Sequence, residues 1–170
     1  MARAADSLAA APARSDGGFR VGAHQDRNDA ALAIMGGRFD LKVSAKDTGG
    51  DLCIFDTTRA TKGGPPLHRH HAQDEWFYVI RGEFLVKVGD ATLRLGPGDS
   101  AFAPRQVPHA FAMTSAGEGQ MLVLFQPAGR MEHFFHEMNR IGQDISASHA
   151  LPPSLWEECG MELLGPPLEI

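Results

Sequence analysis

The stretch from Gly64 to Gly82, GPPLHRHHAQDEWFYVIRG, constrains this chain more than any other. It puts three metal-capable side chains, His68, His70 and Glu75, within eight residues. Side chains alternate faces along a strand, so His68 and His70 project together while Arg69 points away. The run Trp76, Phe77, Tyr78, Val79, Ile80 is aromatic and β-branched, which suits a second strand and sets Glu75 in phase with Phe77 and Val79. That carboxylate can face the two imidazoles. Asp74 is the competing carboxylate, and Glu75 is preferred for its longer side chain and its phase. His71 falls on the opposite face if the strand stays regular.

A fourth donor lies in GPGDSAFAPRQVPHAF, Gly96 to Phe111, where His109 follows a Pro-rich turn and opens another apolar strand. A lone histidine is more often a core or surface residue bonded to backbone. Four donors in this arrangement point instead to a site of His68, His70, Glu75 and His109. Imidazole and carboxylate donors suit Fe, Ni, Mn, Cu or Zn rather than Ca or Mg. One divalent transition metal ion is the expected cofactor.

These two stretches resemble the two motifs of the cupins. His68, His70, Glu75 and Gly82 fit the first, and Gly98, Pro104 and His109 fit the second. Gln106 stands where the second motif has glycine and Met113 where it has asparagine; neither position is a ligand, so the departures concern turn geometry. The glycine pair Gly63–Gly64 also lies closer to His68 than the family pattern has it. The resemblance spans roughly Gly36 to Gln126, with a tail, Gly160 to Leu168, similar in composition to that of quercetin 2,3-dioxygenase-like cupins. It implies an all-β double-stranded β-helix, or jelly roll, with short C-terminal helices.

The rest of the chain agrees with such a barrel. FDLKVSA alternates Phe39, Leu41 and Val43 against polar residues, and LCIFDTT sets Cys53, Phe55 and Thr57 on one face. Phe84, Val86 and Val88 alternate before a tight turn at Gly89–Asp90, and QMLVLFQ reads as a last, buried strand. Ala30 to Met35 suggests a short helix or turn. From Met131 the period becomes helical: Met131, Phe134, Phe135, Met138 and Ile141 share one face, leaving His133 and His136 toward solvent. HFFHE is not the H-E-x-x-H of metalloproteases, because its Glu lies outside the histidine pair. A second helix is expected from Ser154 to Cys159 with Ser154 as N-cap. The expected organisation is a flexible arm (1–24), a barrel (36–127) and a C-terminal helical segment packed on it (128–170).

A net charge of −5 argues against a general nucleic-acid surface, and no DNA-reading helix-turn-helix is evident near the N-terminus. No apolar run approaches bilayer length, and the Ala-rich start lacks an unbroken apolar core, so neither a membrane span nor a secretory signal is expected. Cys53 and Cys159 are isolated, which suggests reduced thiols in a cytoplasmic protein. Small cupins commonly pair through sheet edges, and a homodimer is the expected assembly.

An apolar jelly-roll interior with a metal at its base suits a small organic substrate with one or two donor oxygens. Phe55, Phe77, Phe84, Phe111 and Met113 are candidates to line that pocket, with packed core as the plainer reading. The leading functional expectation is a dioxygenase-type reaction on a small aromatic or enol-type molecule. Resemblance to the quercetinase-like cupins implies Glu75 as ligand and as base for the substrate hydroxyl. The rival expectation is a non-oxidative metal-binding cupin, either an isomerase or lyase or a small-ligand sensor.

Overall fold

Period-two burial runs through most of the chain and builds two antiparallel sheets. The computed structural model describes residues 13–142 and 152–170. Its strands are β1 (Leu32–Ile34), β2 (Gly37–Val43), β3 (Cys53–Arg59), β4 (Pro66–His70), β5 (Asp74–Arg81), β6 (Phe84–Val88), β7 (Ala91–Leu95), β8 (Ser100–Ala103), β9 (His109–Met113), β10 (Gly119–Gln126) and β11 (Met161–Pro167). Helices α1 (Met131–Ile141) and α2 (Pro153–Glu158) precede the last strand. One sheet runs β1-β2-β3-β10-β5-β8 and the other β11-β4-β9-β6-β7. Consecutive strands are repeatedly sent to opposite sheets, as in a jelly roll.

The inward positions are apolar. Phe55, Phe77, Val79, Phe84, Val86, Met113, Met121 and Phe125 are all buried. Strand β10 lies between β3 and β5 and alternates buried Met121, Val123 and Phe125 with half-buried Leu122 and Leu124. Its apolar outer face is therefore only partly covered. The expected turn at Gly89–Asp90 joins β6 to β7, with Gly89 in the left-handed region.

Four expectations need correction. Ala30 to Met35 is not helical: Leu32–Ile34 pairs with β2 through a two-residue turn, Met35 and Gly36, both at positive φ. That is the backbone of a primed hairpin turn, whose twist matches the strands it joins. QMLVLFQ is not the last strand, because Met161–Pro167 adds β11 beside β4. In α2, Pro153 takes the first helical position and Pro152 the cap, so Ser154 lies inside the helix; proline's fixed φ favours that place. Ile141 closes α1 exposed, past the reach of the barrel, while Met131, Phe134, Phe135 and Met138 are buried.

Helix α1 is pinned at both ends. The Glu132 carboxylate accepts from Ser44 Oγ and the Ala45 amide, and Asn139 Oδ1 accepts from the Ala33 amide at 2.9 Å. Between these anchors Phe135 meets Phe39, Phe55 and Phe125 at ring separations of 5.2, 4.8 and 5.8 Å. Such a four-ring cluster combines large apolar burial with edge-on geometry. The first twelve residues of the expected arm lie outside the described residues; beyond them, the Ser15 amide donates to Asp47 O at 3.1 Å. Cys53 and Cys159 are both buried free thiols, and burial pushes the Cys53 thiol up.

Candidate metal centre

Strand pairing brings the four donors together. His68 sits directly opposite His109 across β4 and β9, and Glu75 opposite Phe125 across β5 and β10. Alternation on β4 turns His68 and His70 inward, and alternation on β5 turns Glu75 inward with Phe77 and Val79. One donor atom from each of His68, His70, Glu75 and His109 lies within 4.8 Å of the others, and all four residues are buried. Asp74 faces the other way and pairs with Arg105, whose Nη2 is 2.6 Å from Oδ2. His71 is exposed and contributes only backbone.

The imidazoles are held in one tautomer. His68 Nδ1 lies 2.8 Å from Pro66 O and His109 Nδ1 lies 2.9 Å from Val107 O, so each Nδ1–H donates to a carbonyl. In the neutral ring each Nε2 then carries the lone pair, the arrangement that orients metal-binding histidines; without a metal, His109 Nε2 carries a proton that it donates to Glu75. His109 Nε2 lies 2.8 Å and His70 Nε2 3.2 Å from the same Glu75 Oε2. The second approach is close but not aligned as a hydrogen bond, and neither ring nitrogen of His70 has a partner among the described residues.

Charge accounting leads to the same place. Burial, followed by the neighbouring His109 and His70, pushes the His68 imidazole down to about 3, so it stays neutral. Burial would raise the Glu75 carboxyl, yet His109 and His70 hold it below the usual carboxylate range. Burial would lower His109, and Glu75 overrides it and raises it. Lone pairs and a carboxylate crowded together without solvent call for a cation among them. Three nitrogens and one carboxylate oxygen suit a divalent transition ion, so the residues present fit the metal.

Three of these donors, His68, His70 and Glu75, line a cavity of about 50 Å³. Its lining includes Phe39, Phe111, Phe125, Phe134, Phe135 and Trp156, together with Met35, Met131, Met138 and Met161. Of the residues expected in the pocket, Phe111 is at this wall. Phe55, Phe77, Phe84 and Met113 are instead packed in the core behind it, because this end of the barrel is filled by rings; Phe77 and Phe84 each pack edge-on against Phe111. Sequence reasoning missed Arg59, Met35 and the walls supplied by α1 and α2. Carrying the alternation of Cys53, Phe55 and Thr57 one step further would have placed Arg59 inside.

Gln106 shows how the second motif tolerates its departure. It adopts φ 68°, the left-handed region that the usual glycine would take. Its amide donates to His70 O and its side-chain Nε2 to His71 O, both at 2.7 Å, which ties the turn before His109 to the end of β4.

Residues 55–125 match the family model described as Cupin domain. This stretch of the chain is a cupin domain. Among solved structures, an RmlC-like cupin from Shewanella frigidimarina NCIMB 400 is 23% identical with a TM-score of 0.52, over 66% of this chain and 93% of its own. The polyketide cyclase RemF from Streptomyces resistomycificus is 22% identical at 0.52, over 65% and 80%. A predicted oxalate decarboxylase from Thermotoga maritima is 15% identical at 0.52, over 58% and 90%. These likenesses establish the fold. Comparison with curated proteins gives no match. Among the described residues no helix is long and apolar enough to cross a membrane.

Proposed function

We propose that this cupin is a metal-dependent enzyme acting on a small organic molecule, with His68, His70, Glu75 and His109 as the ligands. The observation that carries this reading is the convergence of four buried donors, with His68 and His109 turned Nε2-inward by Nδ1–H bonds to backbone carbonyls. Four protein ligands leave one or two positions of a five- or six-coordinate ion for substrate, the mark of a catalytic rather than a structural site. The bound ion would supply Lewis acidity and, for a redox-active metal, activation of dioxygen.

The protein's own contribution is placement. Pro66 and Val107 carbonyls hold two imidazoles in register, and Glu75 supplies the negative charge. Its Oε2 already faces both His70 and His109, which favours the ligand role for Glu75 over that of a free base. The aromatic and methionine walls exclude water and suit an aromatic or enol-type body. We assign a dioxygenase-type reaction as the leading chemistry. The mixed activities named for cupins of like fold, a cyclase and an oxalate decarboxylase, support a non-oxidative isomerase or lyase as the second reading.

Elemental analysis of the untagged protein beside His68→Ala and Glu75→Ala tests the site. About one Fe, Ni, Mn, Cu or Zn per chain, lost in both variants, is the expected result. A wild-type protein that holds no metal after reconstitution removes the catalytic reading. Oxygen uptake with catechols and flavonols, against turnover of the same compounds under anaerobic conditions, separates the two chemistries.

A further inference from the structure

The cavity holds a charge that the metal centre does not use. Arg59 ends β3 on the inward face, is only 2% exposed, and lines the same cavity as His68, His70 and Glu75. Its Nη2 donates to Met35 O at 2.6 Å, and its Nε has no partner. Among the described residues no carboxylate bonds to it. Burial alone lowers its pKa, with no acidic neighbour opposing the effect. Buried arginines are ordinarily paired, since an isolated charge away from water is expensive.

The surroundings are arranged to keep it there. A Cβ at Gly37, directly across from Arg59 in β2, would come within 3.1 Å of its Cγ and 3.4 Å of its Nη1. Met35, whose carbonyl accepts from it, sits at φ 50° where asparagine or glycine is usual. Trp156, also in the lining, has a second buried donor without an acceptor, its Nε1. Both unmatched donors call for acceptor oxygens on whatever fills the cavity.

Arg59 and Glu75 both line one cavity of about 50 Å³, so an occupant that meets both is small. Between them the wall is apolar, and four methionines let it adapt to the shape of a guest.

We propose that Arg59 is the anchor for the carboxylate of a small organic acid, such as a short-chain alkanoic acid, whose other end faces the four-residue metal centre. The proposal extends the reading of that centre but stands on Arg59 alone as far as anion binding is concerned. Phosphate fits less well, because it needs several donors and the walls offer one guanidinium in apolar surroundings.

The test is calorimetric titration of the full-length protein, as purified and after chelation, with acetate, propanoate and butyrate and with their uncharged amides. At least one acid should bind the chelated protein tenfold or more tightly than its amide, since a charge-assisted bond replaces a neutral one. Arg59→Met should abolish the acid preference while leaving metal content at the wild-type level. Equal binding of acid and amide, an unchanged preference in Arg59→Met, or no binding of any acid would overturn the proposal. The comparison within the wild type decides the matter even if the variant folds poorly. Absence of metal by elemental analysis with an intact acid preference would sink the metal reading and leave this one standing.

Discussion

Replacing His70 with leucine should make the metal-free protein more stable and the metal-loaded protein less so. His70 is 0% exposed, and neither of its ring nitrogens has a hydrogen-bond partner among the described residues. A buried polar group without a partner costs about 1–3 kcal/mol. Leucine is close in volume and would keep the packing against Phe125, whose ring centroid lies 5.5 Å from that of His70. Glu75 keeps its bond to His109 in the variant. The net gain for His70→Leu in chelator is therefore about 2 kcal/mol. For a chain of this length each kcal/mol moves Tm by roughly 2–4 °C, so the midpoint should rise by about 4–8 °C.

Adding the metal should reverse the order. A ligand at a thousand times its Kd stabilises the native state by about 4 kcal/mol, and the variant, with three ligands of four, forfeits most of that. Urea denaturation of both proteins in chelator and in excess divalent ion measures all four values. Crossing stabilities are the expected result. A variant less stable than wild type in chelator, with an equal gain from metal, would refute the idea that His70 is held ready for a cation rather than for the fold.

Three further outcomes follow from local geometry. At position 106 glycine should be more stable than alanine by about 1–2 kcal/mol, because both lose the bond to His71 O and only alanine keeps the left-handed strain; equal denaturation midpoints would contradict this. Gly64→Ala should prevent folding or displace β4, since its Cβ would overlap the Phe111 carbonyl oxygen; a crystal structure with β4 in place and unchanged stability would be the opposite result. Arg105 holds the Asp74 carboxyl down to about 2, so this pair stabilises the fold fully above pH 4 and loses its effect as pH falls toward 2. The stability gap between wild type and Asp74→Asn, measured by urea denaturation, should close over that window, and a gap independent of pH would contradict it.

The difference between what could be read in the chain and what could not is a matter of sequence distance. His68, His70 and Glu75 lie on two consecutive strands joined by a tight turn, so alternation along each strand was enough to aim them inward. His109 needed only the assumption that a histidine after a Pro-rich turn opens a strand, and it faces His68 directly. β11 was hidden because Met161–Pro167 contains a glycine and two prolines and carries little strand propensity. Its place depends on an open edge of β4 that local pattern does not reveal.

The ligand-facing surface was hidden for a stronger reason. Metal donors advertise themselves by type and spacing, but the wall opposite them is assembled from the β1–β2 turn, the end of β3, one face of α1 and Trp156 of α2. Phe134 and Phe135 read equally well as ordinary core of a packed helix, and only docking over the barrel mouth makes them cavity. Arg59 is the sharpest case: from the sequence it is a charged residue closing a strand, where solvent exposure is the default. It becomes informative once the structure shows a guanidinium buried among phenylalanines and methionines with a donor to spare. The four donors narrow the chemistry by their type alone, whereas the wall narrows the guest by shape and charge that only the folded chain assembles.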